Sequence, residues 1–186
     1  LRFLDQDIAE MLKDLLVESN VTTKQAVLGI PSVSSFITVI ELPLMNREEV
    51  KGVVPFEAKR YVPIPMAEVA MDWEIIEEDE ATKKMKVLLV VVPNEVINKY
   101  KRIAEITGLE IQAIEIESFA LVRALVGRDK GVVAILNLGA QSTAVVIADN
   151  SIIRLANNIS RGSREISMIL ARSLAIEEAR AETLKR

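Results

Sequence analysis

The chain has 186 residues, 50% of them hydrophobic and 27% charged, and a net charge of −4. It can therefore bury a core, is not disordered, and lacks the clustered positive charge that a nucleic-acid footprint requires. It contains no cysteine and no histidine, which excludes disulfides, thiolate chemistry, Ser-His-Asp and Cys-His catalysis and most transition-metal sites. Leu4, Ile8, Met11, Leu12, Leu15 and Leu16 recur at helical spacing and predict an amphipathic helix over residues 4–18. A short buried strand, Ala26–Ile30, follows, and then a β-rich strand, Phe36–Leu42, that ends at Pro43. Asn46 reads as an N-cap, with Glu48 and Glu49 in the first turn of a helix to about Tyr61. Pro55 should kink or split that helix. Strands near residues 67–76 and 85–92 flank the acidic turn Glu77–Thr82, which lacks the glycine and ligand spacing of a calcium loop and reads as a solvated hairpin tip. A helix from Pro93 to a stop at Gly108, a strand over 109–116 and a helix over about 118–126 complete a β-α-β-β-α-β pattern. The remainder reads β-β-β-α-α, with strands before Asn137, after Ser142 and over 152–156, a helix opened by Gly162, and a last helix over 176–185.

One polar interruption stands out. The apolar run Val132–Leu136 stops at Asn137, turns through Gly139, Ala140 and Gln141, offers hydroxyls at Ser142 and Thr143, and becomes apolar again. Such a turn can present backbone N–H groups and hydroxyls to an anion, and it can equally be an ordinary glycine hairpin. The longest apolar run, Val87 to Val92, falls far short of the roughly 18 residues that a membrane span needs. The mixed polar residues that lead into the first helix do not read as a signal peptide. A soluble, cytoplasmic protein is expected, and a start at Leu1 in place of Met suggests a fragment.

Three stretches resemble the type IV pilus assembly protein PilM family of the actin-like ATPase superfamily, whose nearest relative is the cell-division protein FtsA. They are Ile30-Pro31-Ser32 through Phe36 with Glu41-Leu42-Pro43 and Phe56 to Pro63; Val91-Val92-Pro93 to Leu109 with Glu115 to Leu125; and Asn137 to Thr143. The resemblance implies an α/β chain of actin-like ATPase fold carrying an inserted β-α-β-β-α-β subdomain. Residues 1–30 would end the first actin-like subdomain, 31–116 would be the insertion, 117–130 a return helix, and 131–186 the start of the second lobe. The first phosphate loop and the adenosine-contacting glycines would lie outside the chain, leaving about half of a nucleotide cleft.

Within that cleft the resemblance implies ATP with Mg²⁺ in the full-length protein. It would be contacted by Asn137, Gly139, Ala140, Gln141, Ser142, Thr143, Gly162, Glu182 and Lys185. Asn137 stands where the family usually has Asp; an amide supplies no negative charge to a metal, so little or no hydrolysis is expected, and no catalytic residue or protein metal ligand is assigned. Gly162 at a helix start favours anions, although Ser163 and Arg164 replace the usual Gly and Asp. Taken without the family, Glu182 and Lys185 read as an exposed ion pair on one helix face.

Resemblance to the PilM family further implies a cytoplasmic scaffold at the inner face of the inner membrane, reaching the membrane only through partners. It would dock the cytoplasmic N-terminal tail of PilN and communicate indirectly with pilus motor ATPases. Phe36, Ile37, Val39, Ile40 and Leu42, on a strand followed by proline, are the candidate docking residues, within a groove expected in residues 30–65. A truncated lobe would leave apolar surface exposed, so association of two copies is expected. An FtsA-like or filament-forming ATPase is the alternative reading.

Overall fold

The computed structural model describes residues 4–185. Helix α1 (Asp5–Glu18) opens where the Asp7 carboxylate accepts the Leu4 N–H at 3.0 Å, setting negative charge at the positive end of the helix dipole. Strand β1 (Gln25–Ile30) leads through a single 3₁₀ turn, Ser32–Ser34, into β2 (Phe36–Pro43). Helix α2 (Arg47–Ala58) is closed by a reciprocal capping box: Asn46 Oδ1 accepts the Glu49 N–H, and Glu49 Oε2 accepts the Asn46 N–H, each at 3.0 Å. Pro55 does not split this helix. Val50, Val54 and Ala58 are wholly buried along one face, and each buried valine contributes roughly 1.5–3 kcal/mol, which offsets the one backbone bond that proline removes.

Strands β3 (Val69–Asp79) and β4 (Lys84–Pro93) run further into the acidic turn than the sequence suggests. Asp79 closes the tip itself, accepting the Ala81 and Thr82 N–H groups at 2.8 and 3.2 Å and the Thr82 hydroxyl at 2.7 Å. Helix α3 (Asn94–Thr107) ends at Gly108, whose φ of +74° is the left-handed conformation that glycine adopts without strain. Then come β5 (Glu110–Ile116), α4 (Glu117–Leu125), β6 (Val132–Leu138), β7 (Thr143–Asp149), β8 (Ile152–Ile159), α5 (Ser163–Leu174) and α6 (Glu178–Lys185).

The strands form three sheets: parallel β1-β5, antiparallel β2-β4-β3 and antiparallel β6-β7-β8. The expected β-α-β-β-α-β unit is thus divided. β2, α2, β3 and β4 share a core of Ile40, Leu42, Val50, Val54, Val87 and Leu89, while β5 pairs with β1 and α3 packs on α1. The physical reason lies at the strand ends. Ile30 and Ile116, register partners at the close of β1 and β5, bury in one central core with Ile37, Leu88, Val92, Ile135, Val146 and Ile153. That core ties β4 to the β6-β7-β8 sheet, and β4, the central strand, is apolar on both faces because both are covered.

The apolar run of β6 is covered on one face only. Val133, Ile135 and Asn137 point inward, whereas Val132 and Leu136 stay 72% and 69% exposed on the other face.

Candidate functional site

A cleft of about 450 Å³ opens where the end of β1, the start of α4 and the β6–β7 turn converge. Asn137, on β6, is register-paired with Ala144 on β7, which is register-paired with Asn158 on β8. The buried alanine between the two amides leaves open space beside them, and all three residues line the cleft. Asn137 Nδ2 donates to Glu117 Oε1 at 2.9 Å, and Asn158 Nδ2 donates to the Ser32 carbonyl at 2.8 Å. Asn158 Oδ1 is buried with no hydrogen-bond partner among the described residues. Ser32 Oγ and Ser118 Oγ lie 2.6 Å apart and fully buried, fastening the turn after β1 to the start of α4. Glu117 is the one carboxylate among the described residues that line the cleft.

The turn itself is held from both sides. The Gly139 N–H donates to the Ser142 carbonyl at 2.9 Å, and the Thr143 hydroxyl donates to the Arg161 carbonyl at 2.8 Å. Among the described residues, the N–H groups of Ala140 and Gln141, both exposed, make no backbone hydrogen bond. They remain open to an acceptor outside the chain.

Gly162 has a different role from an open anion site. The first N–H groups of α5, at Ser163 and Arg164, donate to the Gly139 and Ala140 carbonyls at 2.8 and 3.0 Å, so the turn already occupies them. A Cβ at Gly162 would lie 2.5 Å from the Gly139 oxygen and 2.6 Å from the Ala140 carbonyl, so only glycine permits this approach.

Glu182 and Lys185 are not a free surface pair. Lys185 Nζ donates to Glu182 Oε2 at 2.7 Å and to the Ser163 carbonyl at 3.1 Å, with its side chain only 19% exposed. Ser167 Oγ also donates to Glu182. α6 is thereby latched to the α5 N-terminus, and Glu182, Ala140, Ser163 and Arg164 border a second hollow of about 550 Å³. Of the nine residues expected at the cleft, Asn137, Gly139 and Ser142 line it, Ala140 and Glu182 line the second hollow, and Gln141, Thr143, Gly162 and Lys185 line neither.

Glu117, Ser118, Ser32 and Asn158 escape the sequence reading. Their signal is a strand, Glu110–Ile116, running without a loop into Glu117-Ser118, a carboxylate and a hydroxyl at a helix start.

The five docking candidates lie on β2, an edge strand of its sheet. Ile37, Ile40 and Leu42 are buried core residues, while Phe36 and Val39 are half-buried. A separate apolar groove of about 390 Å³ lies elsewhere, walled by Ala70–Glu74 of β3 and Ile114–Ile116 of β5, with Leu88, Val90, Ile97 and Phe119 between. None of the five lines it, and of the region 30–65 only Ile30 does. Consecutive residues on each wall mean that strand edges, not one face, form it. Glu115 at the rim is bound by Arg123 through two bonds of 2.6 and 2.8 Å, which hold its carboxyl below the usual carboxylate range.

No helix among the described residues is long and apolar enough to cross a membrane. The chain has an actin-like ATPase fold. It is similar to a chain of the PilM–PilN type IV pilus biogenesis complex, with a TM-score of 0.79 and 22% identity over 96% of this chain and 55% of that one. It is also similar to the cytoplasmic domain of EpsL, an inner-membrane component of the Vibrio cholerae type II secretion system. There the TM-score is 0.57 and the identity 13%, over 91% of this chain and 63% of that one. The family model for type IV pilus assembly protein PilM matches residues 4–186, and the chain belongs to that family. It spans little more than half the length of the chain of that complex with which it aligns.

Proposed function

We propose that the protein is a cytoplasmic scaffold of type IV pilus assembly that docks the cytoplasmic tail of a PilN-type inner-membrane protein in the β3–β5 groove and binds ATP with Mg²⁺ in the cleft. The observation that carries this reading is the groove itself: two strand edges facing an apolar floor, in a fold similar to a protein solved with PilN. An extended tail satisfies a strand edge by main-chain hydrogen bonds and fills the apolar floor with side chains. Strand β2 supports docking less well, because three of its five apolar side chains are already buried in the core.

In the cleft, the open N–H groups of Ala140 and Gln141 and the Ser142 hydroxyl suit phosphate oxygens. Mg²⁺, when bound, neutralises phosphate charge. Glu117 would supply the negative charge toward the metal that Asn137 lacks, and Asn158 Oδ1, buried and unpartnered, would accept from a bound water. Asn137 and Glu117 already satisfy each other at 2.9 Å. That arrangement suits binding with slow turnover, and steady phosphate release near 1 per second, low in the usual enzyme range, would overturn it. For docking, a tail peptide is titrated into labelled protein while backbone amide signals are followed. Shifts at Ala70–Glu74 and Ile114–Ile116 are expected; shifts confined to Phe36–Leu42 would move the site to β2.

A further inference from the structure

We propose that the β3–β5 groove receives its partner as an added strand on the β3 edge and selects for Lys or Arg at alternate positions of that strand, through Asp72 and Glu74. This rests on the groove being the partner site. β3 pairs with β4 on one side only. Its other edge is guarded, since Asp72 Oδ1 accepts the Trp73 N–H at 2.8 Å and satisfies a donor that the ladder leaves over. A carbonyl from an added strand replaces that carboxylate as acceptor, and the released charge then faces the incoming chain.

The charge around the groove has one sign. Asp72, Glu74 and Glu115 are its only ionisable lining residues among those described, and no Lys or Arg lines it. Glu115 is taken by Arg123. Arg47 approaches Glu74 only to 3.7 Å, between side chains 65% and 63% exposed, a pair that water weakens. Among the described residues Asp72 has no ion-pair partner.

Geometry sets the spacing of the cations. Asp72 and Glu74 are two residues apart, so both point to one face of β3, where their register partners are Val90 and Leu88 on the groove floor. An added strand has the same two-residue repeat, so cations at alternate positions stand opposite both carboxylates. An acidic segment would meet repulsion at the same two positions.

The test uses two labelled peptides of about eight residues, a common strand length. One alternates Lys with aliphatic residues; the other carries Glu in place of Lys. Fluorescence anisotropy is read with the unmodified protein, with Asp72→Asn/Glu74→Gln, and with Asp72→Lys/Glu74→Lys, all at exposed positions. The unmodified protein is expected to bind the Lys peptide at least about tenfold more tightly than the Glu peptide. That margin shrinks as salt rises, vanishes in the neutral variant and inverts in the reversed one. Equal binding of the two peptides, or a margin that survives neutralisation, overturns the proposal; should the reversed variant fold poorly by circular dichroism, the neutral variant decides. The PilN tail is run in parallel with Ala70→Tyr, which fills the groove from an exposed position. If Ala70→Tyr abolishes tail binding and the charge variants leave it unchanged, charge selection fails while the groove stands. If Ala70→Tyr leaves tail binding intact, the groove reading fails, and charge selection with it.

Discussion

Asn137 on β6 donates its side-chain amide to Glu117 at the start of α4, 2.9 Å away across the cleft. This bond links the β6-β7-β8 sheet to the helix that also lines the β3–β5 groove through Phe119. It makes the two residues a unit: one supplies the charge, and the other neutralises the charge's demand for donors without adding a second carboxylate. Replacing Asn137 by Asp sets two carboxylates within hydrogen-bond distance, where both cannot ionise freely. Asn137→Asp is expected to lower stability by about 1–3 kcal/mol at neutral pH without metal, with part of the loss recovered on adding Mg²⁺ and ATP. Thermal unfolding with and without Mg·ATP checks both, and an unchanged melting temperature in metal-free buffer would sink the argument.

Gly162 and Gly52 should respond oppositely to the same substitution. A Cβ at Gly162 meets backbone carbonyls at 2.5–2.6 Å, whereas one at Gly52, inside α2, meets nothing within 4 Å. Gly162→Ala is therefore expected to cost about 2 kcal/mol by forcing α5 off the β6–β7 turn. Gly52→Ala is expected to gain up to about 1 kcal/mol from helix propensity alone. Urea midpoints of the two variants, measured side by side, decide.

The Ser32–Ser118 pair is buried on both sides, at 2% and 0% exposure, with its oxygens 2.6 Å apart. Removing either hydroxyl strands the other, so each single Ala variant should cost about 1–3 kcal/mol. The double variant leaves no orphan and should cost clearly less than the sum, by the logic of a double-mutant cycle. Additive losses would show that the two hydroxyls are independent.

Glu77 ties β3 to β8. It accepts from Lys86 at 2.7 Å and from Arg154 at 3.1 Å, and the Lys86 bond above all holds its carboxyl below the ordinary value of 4.5. A carboxyl whose folded pKa is depressed stabilises the fold above its ordinary value and loses that contribution as pH falls through the lower folded value. The loss should thus begin below about pH 4.5 and shrink with added salt, because the site is solvent-exposed. Glu77→Gln is expected to flatten this acid limb of the urea midpoint against pH while leaving the limb above it unchanged in slope.

Much of the fold was already written in local chemistry. The Asn46 cap, the stop at Gly108 and the polar interruption at Asn137 need only neighbouring residues, and each stands where the sequence puts it. Of the two outcomes expected at Pro55, splitting of the helix does not occur, because a wholly buried face of valine and alanine outweighs one missing backbone bond.

What only the tertiary structure decided is everything that depends on residues distant in the chain. β5 belongs with β1 because Ile30 and Ile116 share a core. The docking strand expected at β2 spends Ile37, Ile40 and Leu42 inside, while the groove forms between strand edges more than 35 residues apart in sequence, at Glu74 and Ile114. Gly162 looks like an anion-binding helix start until the Gly139 and Ala140 carbonyls are found on its N–H groups. Sequence alone fixes the periodicity and the caps, since those are set by bonds within a few residues. Which face is buried, which edge is left open and which donor is already taken are set by packing, and packing is known only once the chain has closed on itself.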